Sequence, residues 1–342
     1  MIQDIKEFKS LENEWDSLFF SINNYSVFQS FIFNYYSWKE ILSSSSSNSL
    51  FIIKIMQEGM TIGFFPLYND KRNTLRFIND IHCDFCDLIF CKDIDFSSLF
   101  HFILNDCSQQ KIQLINLKKD SVLRRFSLEC KDINISCFFS ESYTEFKVDK
   151  GIFPDNYNRL LCKQRGEIRR ILKKNSNYKH KLLDSSNDDF PINDILILKE
   201  KMIKNGIRSN NFLSVNQLKL IEILYKKKYI EISCIEDNEV RAILFILKNQ
   251  YNLLFWIDLY DSSVYTSTLH NYISYIRFKS LNSQIFINLG RGKYKWKIAK
   301  FKPNIRDLYT LNIFSSRFIR ISYLIKNYFI SMITLIYRNF KK

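Results

Sequence analysis

The chain has 342 residues, 46% of them hydrophobic and 16% aromatic, with eight cysteines and a net charge of +15. A chain of this length exceeds one ordinary hydrophobic core, so we expect two domains, and its apolar side chains suffice to bury both cores. Acidic residues interrupt the apolar ones at the N-terminus, which excludes a signal peptide and favours a cytoplasmic protein with reduced thiols.

The positive charge is concentrated in two segments. Residues 291–342 contain thirteen Lys and Arg against one acid, and residues 159–181 contain nine against one. Such a concentration of positive charge attracts anions such as nucleic acid, coenzyme phosphates, lipid pyrophosphate or an anionic membrane. The charge alone does not indicate which of these ligands binds.

The first 150 residues show alternating helical and strand patterns. Apolar residues between Leu11 and Phe19 keep helical spacing, and Phe28-Gln29-Ser30 opens a second predicted helix. Apolar segments on either side of the Glu58-Gly59 turn predict a β-hairpin. A mixed sheet is completed by three short predicted strands at residues 112–117, 135–139 and 143–148.

One cysteine cluster in this half raises the question of a metal site. His82-Cys83-x-x-Cys86 is followed by Cys91, but no second pair of ligands stands at zinc-finger spacing. Apolar runs flank the cluster on both sides. We therefore favour two strands and their loop, and we expect no metal.

The second half begins near Gly151 to Asp155 with a basic helix. Arg165 and Arg169 repeat at helical spacing on one face, which indicates either a solvated surface or a site for an anionic substrate. The elements that follow are predicted helices at 192–204, 215–228 and 268–281 and predicted strands at 230–235, 241–247 and 253–259.

A strand followed by a glycine-rich basic phrase is the most informative motif. The apolar residues 284–289 run into Gly290-Arg291-Gly292-Lys293-Tyr294-Lys295-Trp296-Lys297. Paired glycines at a strand end predict a tight turn beside a ligand or another backbone. If the strand continues, three lysines share one side and can bind an anion; a β-bulge followed by an edge strand is the alternative.

This phrase resembles the end of the BioF2-like, or CelD-like, acetyltransferase domain, a branch of the GNAT superfamily related to the Fem peptidyltransferases. Gly292, Tyr294 and Lys295 match the family, and Asn288 stands where the family has Asp. Asp84-Phe85 also matches an Asp-Tyr pair of the family. The resemblance implies an α/β fold with mixed sheets and two tandem GNAT-like domains, at residues 1–150 and 151–314.

The resemblance also implies a site. In GNAT folds the donor binds where two strands splay apart, over the start of the next helix, which corresponds here to residues 256–268. Asp261 is the candidate base, although a turn or capping role is equally compatible, and His270 has the helical spacing of a packed residue. Tyr294 and Lys295 are the other candidate catalytic residues. The remaining candidates are Tyr260, Ser267, Thr268, Gly290, Arg291 and Gly292 for the donor and Arg165, Arg169 and Asn288 for the substrate.

The function implied is an acyltransferase that uses acetyl-CoA or another acyl-CoA. Its acceptor is a small-molecule or lipid-linked sugar, or another precursor of a cell-envelope polysaccharide. Because Tyr265-Thr266-Ser267 stands where the family has Ser-Pro-Gly, transfer from aminoacyl-tRNA, as in Fem proteins, stays open. A basic nucleic-acid-binding module is a third possibility, but the chain shows no recognised binding motif.

The last segment, residues 315–342, predicts one amphipathic helix. Its apolar stripe includes Phe318, Ile321 and Ile325, and its longest uncharged run has 11 residues, too few to span a bilayer. We expect this helix to pack back on the first domain. Peripheral contact with the inner face of a membrane is the alternative.

Overall fold

The computed structural model describes residues 1–22, 26–148, 153–249, 252–263, 266–281 and 284–340. The chain divides into two compact units, residues 1–141 with 307–342 and residues 142–306. Part of the predicted boundary at Gly151 to Asp155 lies outside the described residues. The domain limits at 150/151 and 314/315 stay a prediction.

Unit 1 contains a mixed sheet flanked by helices, in which β3 and β5 pair in parallel, whereas β1 with β2, β2 with β3 and β4, and β5 with β12 pair antiparallel. The strand order is β1-β2-β3-β5-β12-β6, with β4 beside β2. Its helices are α1 (Ile5–Ser10), α2 (Glu12–Ser21), α3 (Phe31–Tyr36), α4 (Phe96–His101), α5 (Val122–Glu129) and α11 (Arg317–Phe340), and its strands are β1 (Ser49–Gln57), β2 (Met60–Asn69), β3 (Thr74–Phe77), β4 (Ile89–Phe90), β5 (Lys111–Lys118) and parts of β6 (Asn134–Val148) and β12 (Asn304–Phe314).

Local signals explain several of these elements. Ser30 begins α3 because its hydroxyl accepts a hydrogen bond from the Phe33 amide at 3.2 Å. The predicted hairpin is confirmed as β1 and β2, with Glu58 and Gly59 at positive φ in the turn. Trp15 is fully buried and stacks on Phe64 with ring centroids 4.6 Å apart. The strands predicted at 135–139 and 143–148 form one continuous strand, β6.

Unit 2 contains the second half of β6 and a further set of helices and strands in the order β6-β11-β10-β9-β8-β7. The helices predicted at 192–204, 215–228 and 268–281 and the strands predicted at 230–235, 241–247 and 253–259 are confirmed within a few residues, whereas β7 was not predicted. The elements are α6 (Cys162–Lys174), β7 (Lys179–Leu183), α7 (Ile192–Lys204), α8 (Val215–Lys226), β8 (Ile230–Glu236), β9 (Val240–Lys248), β10 (Asn252–Tyr260), α9 (Thr266–Lys279), β11 (Ile285–Arg291) and α10 (Lys295–Phe301).

The parallel strands β10 and β11 separate after a short paired segment. Pairing joins Asn252–Leu254 to Phe286–Asn288, and both strands are described in full, with no further pair between them. A register shift in β10 between Phe255 and Ile257 adds to the divergence. Helix α9 connects the two strands and packs on the core of unit 2 through Leu269 and Ile273. The strands therefore splay apart beside the start of α9, as the resemblance implies.

The strand predicted to carry the alternating lysines ends early, which corrects the interpretation of the glycine-rich phrase. Residues 295–301 form helix α10, so Lys295 and Lys297 point to different sides. Lys295 is exposed, whereas Lys297 is buried. The cause is tertiary: the Lys297 ammonium donates hydrogen bonds to the carbonyls of Gly290 and Arg291 at 3.2 and 2.7 Å.

Helix α11 is longer than any other described helix, but the packing predicted for its apolar stripe is not seen in its described side chains. Phe318 is 78% exposed, and Tyr328 and Ile333 are each 64% exposed. The helix contacts unit 1 through Tyr323, whose ring lies 5.3 Å from that of Phe314. Within the residues that the structure describes, no helix is both long and apolar enough to cross a membrane.

Candidate active site

An aspartate and a histidine form the centre of the site in unit 2. Asp258 lies on the part of β10 that has separated from β11, and His270 lies in the first turns of α9. The His270 Nδ1 atom is 2.6 Å from the Asp258 Oδ2 atom. Because Nδ1 is held by the carboxylate, Nε2 is the ring nitrogen left to exchange a proton with a substrate.

Three further residues surround this pair. Arg208 donates a hydrogen bond to the other Asp258 oxygen at 3.1 Å, and Tyr260 follows on the same strand. Trp296 of α10 meets the His270 ring edge-on, with centroids 4.3 Å apart. The imidazole keeps 19% of its surface exposed, so it is both held in place and accessible.

The charges at this pair keep the carboxylate ionised. Burial alone would raise the pKa of Asp258, but the interactions of the carboxylate with His270 and Arg208 outweigh this effect and lower that pKa to about 2. Burial raises the pKa of Tyr260, so its phenol stays protonated at neutral pH. An ionised Asp258 can orient His270 and stabilise its protonated form, which is the role of the aspartate in a hydrolase triad.

Asp261, the candidate base from the sequence, has different surroundings. Its carboxylate is fully buried and accepts hydrogen bonds from Lys201 at 2.8 Å, Arg241 at 3.1 Å and the Ser263 amide at 3.0 Å. Against the effect of burial, these partners lower the pKa of Asp261 to about 2. A carboxylate so fully paired is a weak base, and its contacts are those of a structural ion-pair cluster that links the end of β10 to α7 and β9. Its catalytic role stays a prediction.

The two glycines do not form the predicted tight turn: Gly290 lies at a β-bulge where β11 pairs with β6, which was the alternative interpretation, and Gly292 follows the end of β11. Gly290 and Gly292 have φ values of +75° and +85°, a region that other residues rarely adopt. Asn288 is buried, and its side-chain oxygen accepts a hydrogen bond from the Gly290 amide at 2.7 Å. The Tyr294 ring covers Gly292 so closely that a Cβ atom there would lie 2.4 Å from it. Asn288 therefore shapes the bulge.

The other predicted donor and catalytic residues are placed as follows. Tyr294 and Lys295 are exposed at the start of α10, and Arg291 is partly exposed at the end of β11. Thr268 is buried near the start of α9, whereas the side chain of Ser267 lies outside the described residues. Helix α10 thus lies next to His270 through the contact of Trp296, and the exposed cations Lys293 and Lys295 lie at its start.

The basic helix α6 lies beside α10. Gln164 donates a hydrogen bond to the Ala299 carbonyl at 2.8 Å, and Lys300 pairs with Glu167. Arg165 donates to the Leu160 carbonyl at 2.6 Å and Arg169 pairs with Asp155, so these two candidate substrate ligands have local partners. Four other cations of α6 are exposed: Lys163, Arg170, Lys173 and Lys174. We call these four side chains the α6 basic surface.

Unit 1 contains a separate cavity of about 900 Å³. It lies where β5 ends and is lined by Gln29, Phe85, Asp87 and Lys118, among others. The Lys118 ammonium lies 4.4 Å from the centre of the Phe85 ring. Burial raises the pKa of Asp87 to about 7, so this carboxyl changes charge near neutral pH. Across the described residues, no group of three or more His, Cys, Asp or Glu side chains is arranged to hold a metal ion.

Comparison with known proteins identifies the fold. No family model and no curated protein matches the sequence. A C-terminal domain from Agrobacterium fabrum, of a protein assigned as a lysylphosphatidylglycerol synthetase, superposes with a TM-score of 0.60 at 8% identity, over 94% of this chain and 96% of that one. The L-PGS of Bacillus licheniformis gives 0.58 at 10% identity, over 89% and 92%. FemX gives 0.59 at 10% identity, over 87% and 95%.

These structures show the fold alone, because their sequence identities are so low. They confirm the mixed α/β, GNAT-like fold that the sequence resemblance implies. They do not support the narrower BioF2-like or CelD-like assignment, and the tandem arrangement of two GNAT-like domains stays a prediction.

Sequence reasoning missed the pairing of Asp258 with His270. The spacing of His270 from Ile273 is that of a packed helical residue, and no sequence motif marks Asp258. The only available signal was position: one residue lies near the end of a predicted strand and the other near the start of the next helix. That position is where the resemblance locates the donor.

Proposed function

We propose that this protein is a GNAT-type acyltransferase whose active site lies where β10 and β11 separate. The observation that carries the proposal is the hydrogen bond between Asp258 and His270 at this point. Transfer of an acyl group to an amine or hydroxyl requires a base that removes the acceptor's proton. His270 takes that proton at Nε2, and Asp258 fixes the tautomer and stabilises the resulting imidazolium.

As the donor we propose aminoacyl-tRNA. The α6 basic surface and the exposed Lys293 and Lys295 form an extended cationic area beside the site, which suits a polyanion longer than a coenzyme. The loop before α9 also lacks the glycine with which the BioF2-like family binds its coenzyme. Two proteins of the same fold bear the name lysylphosphatidylglycerol synthetase or its abbreviation, which is consistent with aminoacyl transfer.

Acetyl-CoA or another acyl-CoA is the second candidate donor. The separation of β10 and β11 beside the start of α9 favours it, because a helix N-terminus attracts the phosphates of such a donor. In that case Arg291 and Lys295 bind the phosphates. The narrower BioF2-like assignment belongs to this second candidate.

For the acceptor we propose the amino or hydroxyl group of a cell-envelope precursor, either a sugar or a lipid-linked molecule. One protein of the same fold is named as a lysylphosphatidylglycerol synthetase, and its named product is a phospholipid, which supports this class of acceptor. The non-catalytic alternative is a nucleic-acid-binding module. Such a module would also bind tRNA, but it would not transfer an aminoacyl group to an acceptor.

A donor-binding experiment separates these possibilities. Bulk aminoacyl-tRNA and acetyl-CoA are titrated separately into the intact protein at several salt concentrations. We expect tRNA to bind, and we expect replacement of the four α6 cations by Gln to weaken binding by at least about tenfold and to flatten its salt dependence. The matched control replaces Lys71, Arg72, Lys92 and Lys119, four exposed cations of unit 1, by Gln. Binding of acetyl-CoA without tRNA would assign the second donor.

A further inference from the structure

Helix α11 has an apolar face with no partner in the described structure. Its exposed large side chains include Phe318, Ile321, Ile325, Tyr328, Phe329 and Met332. Spacings of three and four residues bring them to one side of the helix. Exposed apolar surface of this extent is costly in water, so something is expected to cover it.

The rest of unit 1 contacts α11 on the side opposite this apolar face. The Tyr323 ring lies against Phe314, and the Lys111 ammonium lies 4.0 Å from the centre of the Tyr323 ring. Tyr323 is two residues from Ile325, which corresponds to a rotation of about 200° around an α-helix. The contact with β5 and β12 thus leaves the apolar face pointing away from these two strands.

The charge of the segment indicates what covers this face. From Arg317 to the last residue there are six Lys and Arg and no acid. Arg317 and Lys326 lie at the two borders of the apolar face, and the described side chain of Lys326 is exposed. In an interfacial helix, cations at these borders reach the lipid phosphates while the apolar side chains enter the acyl region.

We propose that α11 lies flat on an anionic lipid bilayer, with its apolar face inserted at the interface. At 24 residues the helix is about 36 Å long, and its cations contact phosphate head groups along that length. This inference does not depend on the proposed activity. If both are correct, the helix holds the enzyme at the surface where a lipid-linked acceptor is found.

Vesicle sedimentation with the full-length protein tests this proposal. We expect binding to vesicles that contain phosphatidylglycerol, little binding to pure phosphatidylcholine, and a loss of binding as salt rises. Replacing Arg317, Arg320 and Lys326 by Gln should weaken partitioning on the order of 100-fold, since each such cation contributes roughly fivefold. The same number of Gln changes at Lys71, Arg72 and Lys92 is the control and should have little effect.

A second variant separates the membrane from other occupants. Ile325→Asp with Phe329→Asp should abolish vesicle binding and leave the melting temperature unchanged, because both side chains are exposed in the protein alone. Equal binding of this variant and the wild type would overturn the proposal. So would a wild-type dimer in analytical ultracentrifugation that this variant dissociates, because a second copy would then cover the face. These measurements need no substrate, so their failure is distinct from failure of the proposed activity.

Discussion

The Nδ1 atom of His270 lies 2.6 Å from the Oδ2 atom of Asp258, and this contact ties the start of α9 to the separated half of β10. It fixes the imidazole at the point where the two parallel strands diverge. In a histidine held in this way, Nδ1 is bonded to a carboxylate, so Nε2 is the nitrogen that can exchange a proton with a substrate.

Replacing Asp258 by Asn should reduce the rate of transfer by about 10²–10⁴-fold with a smaller change in KM. The amide has nearly the shape of the carboxylate, but it has no charge to stabilise the imidazolium and can select the wrong tautomer. Steady-state kinetics measures both constants, and His101→Gln, an exposed histidine of unit 1, is the control. A change in KM alone would show that Asp258 only helps to bind substrate.

Asp261→Asn should act mainly on stability. The variant leaves Lys201 and Arg241 without their shared carboxylate, and we expect a loss of about 2–3 kcal/mol in the free energy of unfolding, since both cations are partly exposed. Urea unfolding of the variant and of Asp237→Asn, a more exposed partner of Arg241, measures the difference.

The effect of Asp261 should also depend on pH in one direction. Its pKa is lowered from the ordinary aspartate value of 3.8 to about 2 in the folded protein, so its stabilisation is present above pH 3.8 and is lost as the pH falls towards 2. The difference in the free energy of unfolding between wild type and Asp261→Asn should therefore become smaller as the pH falls from 3.8 to about 2. A constant difference would show that the charge is not the cause.

Gly292→Ala should destabilise unit 2 through two separate effects. The residue has a positive φ, and its new Cβ atom would lie 2.4 Å from the Tyr294 ring. Gly59→Ala measures the first effect alone, because nothing lies within 4 Å of its added Cβ atom. Gly166→Ala, within helix α6 and also in open space, should be neutral or stabilising. Equal melting temperatures for the Gly292 and Gly59 variants would contradict the steric contact.

Asp87→Asn should stabilise the protein at high pH but not at low pH. Burial raises the pKa of Asp87 from 3.8 to about 7, so the folded protein binds a proton there that the unfolded chain has lost. Wild-type stability therefore falls as the pH rises from about 4 to about 7 and the carboxyl ionises. Thermal unfolding of wild type and variant at pH 4.5 and pH 8 shows this, with Asp93→Asn at the same cavity as the control.

Much of the fold could be predicted because local patterns agree with tertiary packing. In α7, Ile195, Leu198 and Met202 recur at helical spacing and are all buried. Ser214 and Gln217 form the reciprocal hydrogen bonds that begin α8, a pattern visible in the sequence.

The rest depends on contacts between distant residues. Alternation of Lys293, Lys295 and Lys297 fits a strand or a helix, and the choice follows from the two carbonyls that receive the Lys297 ammonium. The Asp258–His270 pair likewise follows from how α9 packs against β10, which no local spacing shows. Asp261 is conspicuous in the sequence, yet its two cationic partners come from α7 and β9, far away in the chain.

The most direct test of the central claim is an assay of acyl transfer. It measures transfer of a labelled acyl group by the wild type, by His270→Gln and by Asp261→Asn. The assay uses bulk aminoacyl-tRNA and acetyl-CoA as separate donors, and phosphatidylglycerol vesicles and a UDP-linked amino sugar as acceptor probes. We expect wild-type transfer from one donor, a loss of at least about 100-fold for His270→Gln, and near-normal turnover per folded molecule for Asp261→Asn. Full activity of His270→Gln together with an inactive but folded Asp261→Asn would contradict the assignment of His270 as the base.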